Sequence, residues 1–246
     1  MADARQARDQ GPSPFGLRHR TAREAVVASQ RGRVLEAMVK AVAGKGYAGT
    51  TIADVVARAG VSRRTFYEQF RDKEECFLAA FDTGFAFVSS RIEEEFAALE
   101  PGDWQARVRV LFETYLATLA TEPEFTKVLH LDALAAGERV RARWGETLKR
   151  LVALCRSLHE IAREQDPQVS AVSDDVLLLL AGSIPEVVRE YVRTGRVERL
   201  PALAPQLVSL ALAIISGAVV AQPGPERARR SRPARRSLDE RASAER

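Results

Sequence analysis

The chain predicts an all-α fold, and three observations carry that reading. Apolar residues recur at i, i+3, i+4 and i+7 from about residue 34 to residue 220. Stretches that alternate apolar and polar residues, as half-buried strands do, are absent. Gly, Pro and capping residues punctuate the chain at helix-length intervals, around 44–46, 60–62, 101–103, 122–123, 137, 166–167, 195 and 223–225.

Residues 1–27 are polar and Arg-rich, with Gly11, Pro12, Ser13 and Pro14 among them. They hold too little apolar surface to fold and are expected to be disordered. Arg18, His19, Arg20 and Arg23 stand just before the first helix. They read either as a solvated leader or as an arm reaching DNA phosphates or the minor groove. The first helix is expected over 29–43, with Val34, Leu35, Met38, Ala41 and Val42 as its apolar stripe and 44–46 as its stop.

Residues 50–73 are the most informative stretch. Thr51 and Asp54 have the spacing of a capping box. Ile52, Val55, Val56 and Ala59 make one apolar face, and Gly60 follows where a C-cap wants positive φ. Ser62 is a good N-cap for a second helix. In that helix Phe66 and Phe70 share the inner face, leaving Arg64, Thr65, Tyr67, Glu68 and Arg71 outside. Two short helices joined by a Gly turn, the second presenting Arg and Tyr outward, describe a helix-turn-helix with a recognition helix. The other reading is a helical hairpin whose basic face is only solvated.

The run Gly46, Tyr47, Ala48, Gly49, Thr50, Thr51, then Ile52, Val55, Ala59, Gly60, Val61, Ser62, Thr65, Phe66, Tyr67, Phe70, Asp72, Lys73 and Glu74, resembles the DNA-binding domain of TetR-family transcriptional regulators. The likeness is dense over about residues 30–80. It implies a three-helix DNA-binding domain over 28–75 and a helical effector-binding and dimerisation domain over 76–222. It also carries DNA contacts onto Thr51, Arg63, Arg64, Thr65, Tyr67, Gln69 and Lys73. Arg63 and Arg64 open the recognition helix, and Arg can read guanine O6 and N7 as a fork. Lys73, at a helix N-terminus, would clamp a phosphate with the free amides. Thr51 would offer its hydroxyl and amide to the DNA backbone, Thr65 a thymine methyl or phosphate contact, and Tyr67 a hydroxyl to a phosphate. Gln69 stands at the edge.

Beyond residue 72 the chain reads as helix after helix. A long helix over about 72–99 carries Phe77, Leu78, Phe81, Phe85 and Val88 and stops at 101–102. A helix capped by Asp103 carries Val108, Leu111, Phe112, Tyr115 and Leu119. A short helix covers 123–135, closed by Gly137, and a long one 138–165 points Trp144, Leu148, Leu151 and Cys155 inward. Two strongly apolar helices, about 176–194 and 202–220, exceed what one small core needs. By the same resemblance they would pair with a second copy in a four-helix dimer interface. Gly182, Ser183, Ser216 and Gly217 would allow close approach. Pro185 is expected to kink or break the first of them. Residues 223–246 are Arg-rich and expected to be a disordered tail, either solvated or adding non-specific DNA affinity.

Composition limits the alternatives. A chain of 246 residues with 37 Lys and Arg against 33 Asp and Glu has a formal charge of +4, concentrated at both ends. The two Cys, Cys76 and Cys155, lack metal-ligand spacing and read as core residues. The run 207–221 is too short to span a bilayer, and no signal peptide is visible. A cytoplasmic protein is expected, without a membrane partner. The His are His19, His130 and His159, and His159 lies one turn from Cys155 without a third orienting group. No phosphate-binding, zinc-protease or nucleophile-elbow motif is present. The expectation is therefore a non-enzymatic, cofactor-free regulator. It would be a ligand-responsive repressor binding double-stranded DNA at a palindromic operator as a homodimer, with an unidentified small-molecule effector. Trp104, Phe112, Tyr115, His130, Trp144 and His159 are the polar and aromatic residues offered to a pocket, none of them assigned. The alternatives are an activator or architectural DNA-binding protein without an effector, and an all-α enzyme that keeps the helix-turn-helix as scaffold.

Overall fold

The computed structural model describes residues 30–100 and 102–218. The readings for 1–27, including Arg18, His19, Arg20 and Arg23, and for 223–246 lie outside these residues. Nine α-helices occur among the described residues, with no strand: α1 Gln30–Gly49, α2 Ile52–Ala59, α3 Arg63–Tyr67, α4 Lys73–Ala97, α5 Trp104–Thr121, α6 Pro123–Lys127, α7 Glu138–Gln165, α8 Asp174–Arg193 and α9 Ala204–Ile215. A π-turn, Val128–Asp132, and a 3-10 turn, Ala133–Ala135, follow α6, and a second 3-10 stretch, Val197–Leu203, precedes α9.

Local chemistry explains most of the boundaries. In α1 the stripe Val34, Leu35, Met38, Ala41 and Val42 is buried. Helical turns continue to Gly49, but Gly46 takes φ 73° and ψ 161°, so the helix is broken where glycine permits it. Thr51 and Asp54 form the capping box of α2, and Gly60 ends it in the left-handed region. Ser62 caps α3 by accepting from the Thr65 amide. Asp72 caps α4, accepting from the Glu75 amide at 2.7 Å. Asp103 caps α5 in the same way.

Helices α1 to α3 form a small unit that α4 closes, burying Phe66, Phe70, Cys76, Phe77 and Phe81 with Met38 and Val42. The apolar core runs on without interruption into the body formed by α5 to α9. In α4, Gly84 lets the Phe125 ring of α6 pack where a side chain would stand, since a Cβ there would lie 1.9 Å from Cε2. His159 pins the far end of the body. Its Nδ1 donates to the Ile215 carbonyl at 2.7 Å, and its Nε2 accepts from the Val172 amide at 3.2 Å. With both nitrogens held by backbone, His159 has none left for Cys155. Burial pushes both thiols up to about 12, so Cys76 and Cys155 act as core residues.

Three expectations change. The helix expected over 123–135 is instead α6, a π-turn and a 3-10 turn. Helix α8 runs through Pro185 without a break, and Pro185 lines a cavity there. The last helix ends at Ile215 and not near 220, because Gly217 takes φ 70° and packs so close to the Ser170 backbone that a Cβ there would lie 2.6 Å from the Ser170 carbonyl oxygen. Gly217 therefore serves this close approach and the left-handed turn that ends the helix. The stretch Val197–Ile215 is apolar and long enough for a membrane span by length and composition alone, and a third of it is buried inside the chain. Its 3-10 start and Pro201 differ from a continuous spanning helix.

Candidate nucleic-acid interface and body cavity

Helix α3 is a single short turn-and-a-half whose only buried residue is Phe66. Phe66 and Phe70 rings meet at 5.5 Å and anchor it to the unit's core. That anchor turns Arg63, Arg64 and Tyr67 to solvent, with Tyr67 56% exposed. Arg64 Nε donates to Glu68 at 2.9 Å, an exposed pair one helical turn apart that leaves most of the guanidinium fork free. Thr65 sits against the Ser62 hydroxyl at 3.0 Å. Gln69 lies past the end of α3, half-buried, with Oε1 buried and without a hydrogen bond. The Gln69 carbonyl receives Arg31 Nη1 at 3.4 Å.

Two of the residues named for DNA contact have their donors engaged within the chain. Thr51 donates both its amide (2.9 Å) and its hydroxyl (2.7 Å) to Asp54 Oδ2. The same carboxylate pairs with Lys45, and these bonds hold Asp54 well below the usual carboxylate range. Lys73 Nζ donates to the Tyr47 and Thr50 carbonyls, each at 2.9 Å, and stands 4.2 Å over the Tyr47 ring. Lys73 thus clasps the link between α1 and α2. The sequence places it at the N-terminus of α4, as expected, but the charge is turned onto the chain's own carbonyls.

The same link is held from the body. The Tyr47 amide donates to Asp132 Oδ1 at 3.3 Å, while Asp132 Oδ2 is buried without a hydrogen bond. Burial raises the Asp132 carboxyl above its ordinary value. Lys127 reaches the Ala43 carbonyl beside it, and Arg139 pairs with Glu74 at 3.2 Å. Asp132 ends the π-turn that carries His130, so the turn touches the helix-turn-helix at one end and the body's interior at the other. A π-turn widens the helix by one residue and is commonly found at functional positions.

The interior there is a cavity of about 620 Å³ between α4, α5, α7 and α8. Phe85, Val88, Leu111, Phe112, Leu148 and Leu151 supply apolar wall, and Tyr115, Trp144, Asp82, Glu93, Arg143 and Arg150 supply the polar and charged groups. Of the aromatic and His residues offered to a pocket, Phe112, Tyr115 and Trp144 line it. His130 stands behind Tyr115 at 3.3 Å, Trp104 is buried at the start of α5, and His159 is the backbone pin. His130 is fully buried, its Nδ1 3.1 Å from the Thr126 carbonyl and its ring edge-on to Trp144 at 5.5 Å. Burial lowers it to about 4 and raises the Tyr115 hydroxyl. Arg189 of α8 donates to the His130 carbonyl at 3.0 Å. Sequence reasoning missed Asp132, Asp82, Arg143 and Arg150, because each gains its place through contacts with distant segments.

Comparison with known proteins agrees with this geometry. Residues 34–80 match the family model described as bacterial regulatory proteins, tetR family. The HTH-type transcriptional regulator CymR of Pseudomonas putida is 36% identical over 86 residues, 35% of this chain and 42% of that protein. The HTH-type transcriptional regulator EthR of Mycolicibacterium smegmatis is 24% identical over 187 residues, 76% of this chain and 80% of that one. Thus the match spans less than half the length of CymR and four-fifths of EthR. Among solved structures, the transcriptional regulator FadR from Bacillus subtilis in complex with stearoyl-CoA has the same fold, with a TM-score of 0.66 at 19% identity, covering 75% of this chain and 97% of that one. With the helix-turn-helix, the family match over it and the shared helical body together, the chain belongs to the TetR family of DNA-binding transcriptional regulators.

Proposed function

We propose that this chain is a ligand-responsive repressor that binds a palindromic operator as a homodimer in the cytoplasm. The observation that carries the reading is a joint. One π-turn contacts both the wall of a 620 Å³ cavity and the link that positions the helix-turn-helix. Arg63, Arg64, Thr65 and Tyr67 read or grip DNA in the major groove, with Arg64 facing bases. Thr51 and Lys73 hold the reader in shape, and Gln69 at its edge is the weaker DNA contact. The division at residues 28–75 and 76–222 then separates reading from sensing, with α4 as the shared element.

A second copy is the partner that the exposed apolar face supports. On α8, Leu178, Leu179 and Val187 are 46%, 72% and 44% exposed, and on α9 Leu210 is 48% exposed. Nothing stands within 4 Å of where a Cβ at Gly182 would be, so that helix surface is open. Two such helices from each of two chains form a four-helix interface that buries these residues. An effector in the cavity presses on Tyr115 and His130, moves the π-turn, and so changes the hold of Asp132 on Tyr47. Because it binds one arrangement better than the other, it shifts the population of DNA-competent dimers. The stearoyl-CoA bound to FadR supports a small molecule in such a body.

Selection from a random duplex pool tests the reading. It should return an inverted repeat whose half-sites are about 34–36 Å apart or a multiple of that. Sedimentation should give a dimer that Leu179→Glu converts to monomer with the helical spectrum retained. Recovery of non-palindromic sites, or a native monomer on DNA, would sink the homodimer reading. A protein that stays on its operator with every apolar small molecule offered would favour the activator or architectural alternative.

A further inference from the structure

We propose that the body cavity is shaped for an uncharged, largely apolar molecule carrying a hydroxyl or N–H donor, and that Tyr115 receives that donor. The inference rests on the reading that the cavity takes an effector, and it names the chemical class.

The argument begins at His130. Its Nδ1 lies 3.1 Å from the Thr126 carbonyl, which can only accept, so Nδ1 carries the proton. A neutral imidazole has one donor and one acceptor, and Nε2 is therefore the acceptor. Tyr115 Oη, 3.3 Å from Nε2, must donate. Burial keeps His130 neutral well below pH 7, so the alternative in which both nitrogens donate is not populated. The one proton of Tyr115 is thus engaged, and its oxygen offers the cavity lone pairs only.

Other cavity hydroxyls follow the same pattern. Thr147 Oγ1 donates to the Arg143 carbonyl at 3.1 Å, and Ser90 Oγ donates to the Phe87 carbonyl at 3.0 Å. With their protons given to backbone carbonyls, these hydroxyls have no donor left for a guest, and Ser89 stands at the exposed edge. The charged lining residues balance: Asp82 faces Arg143 at 3.4 Å, with Glu93 and Arg150 as the other two. The site therefore favours no ionic head of either sign. A ligand oxygen without a proton would meet Tyr115 lone pair to lone pair. Accommodating it means turning the hydroxyl away and leaving His130 Nε2 buried without a donor, which weakens binding roughly 5- to 150-fold.

The experiment uses a matched pair on the full-length protein: 1-decanol and its methyl ether, which differ by the donor. Titration is followed by calorimetry and by tryptophan emission, to which Trp144 contributes from the cavity wall and Trp104 as a constant background. The alcohol should bind at least about fivefold more tightly, although the ether is the more apolar of the two. In Tyr115→Phe the preference should vanish or reverse. An ether that binds as well as the alcohol to the native protein overturns the proposal while leaving the effector reading intact, as does a preference unchanged in Tyr115→Phe. If that variant does not fold, the native ratio decides alone. Binding of neither probe removes the effector reading and this proposal with it.

Discussion

Lys73→Met separates two roles that the same position could play. The family resemblance implies a phosphate clamp at Lys73, whereas the geometry makes it a clasp: two bonds of 2.9 Å to the Tyr47 and Thr50 carbonyls and a ring contact at 4.2 Å. Hydrogen bonds to a charged donor contribute about 1.5–3 kcal/mol each when isolated. Lys73 is half-buried, and water would satisfy part of what the two carbonyls lose. The variant should therefore be destabilised by about 2–4 kcal/mol, since Met keeps the stem and removes only the charge and its donors. Urea unfolding measures this. Operator affinity should fall as well, because the link 47–50 sets where α2 begins. The salt dependence distinguishes the roles. A lost phosphate contact lowers the slope of log K against log salt by about 0.9 per subunit, or about 1.8 for a dimer. A clasp leaves the slope unchanged. Unaltered stability together with a slope reduced by about 1.8 would refute the clasp and restore the phosphate contact.

Other perturbations bear on separate parts of the molecule. Arg64→Ala should cost about 1–3 kcal/mol at one base position and leave other positions unaffected, measured by competition with singly substituted operators; equal weakening on every sequence would make it a phosphate contact. Gly84→Ala sets a methyl 1.9 Å from the Phe125 ring, which is buried and cannot swing away, so a loss of about 1–3 kcal/mol is expected in thermal or urea unfolding. Acid should act through His130. It titrates near 4 when folded and near 6.5 when unfolded, so between these values the unfolded chain binds the extra proton and stability falls as pH drops. At pH 5 the loss is about 2 kcal/mol relative to pH 7, and His130→Gln should lack that part of it; the same pH dependence in native protein and variant would refute the assignment.

What the sequence made legible was whatever depends on neighbours in the chain. The capping box of Thr51 and Asp54, the Ser62 cap and the left-handed Gly60 follow from residues three or four apart, and all are present. The outward face of α3 follows equally from the inward pull of Phe66. The assignment of Thr51 and Lys73 to DNA was of another kind. It came from the family resemblance, which does not register that Asp54 takes both Thr51 donors or that the carbonyls at 47 and 50 hold the Lys73 ammonium. The π-turn was hidden for a related reason. One extra residue in a turn barely disturbs a 3.6-residue pattern over 123–135, and its consequence, Asp132 against Tyr47, joins residues 85 positions apart.

The cavity marks a physical limit of periodicity itself. Trp144, Leu148 and Leu151 have the spacing of a packed core stripe, and they do point inward. A helix face that lines an empty volume and one that meets another helix have the same period, because both avoid water. The distinguishing signal lay in residues that seemed incidental: Asp82, Arg143, Thr147 and Arg150 border the apolar stripe on two helices and meet around the cavity. Arg143 and Arg150 are exposed and Asp82 partly so, which places these groups at the rim where the cavity meets water. Inside that rim the Tyr115–His130 pair is the polar feature of the wall, and a polar group in a cavity loses little if a guest hydrogen-bonds to it and a great deal if it does not, which is why the proposed effector is expected to meet that pair with a donor.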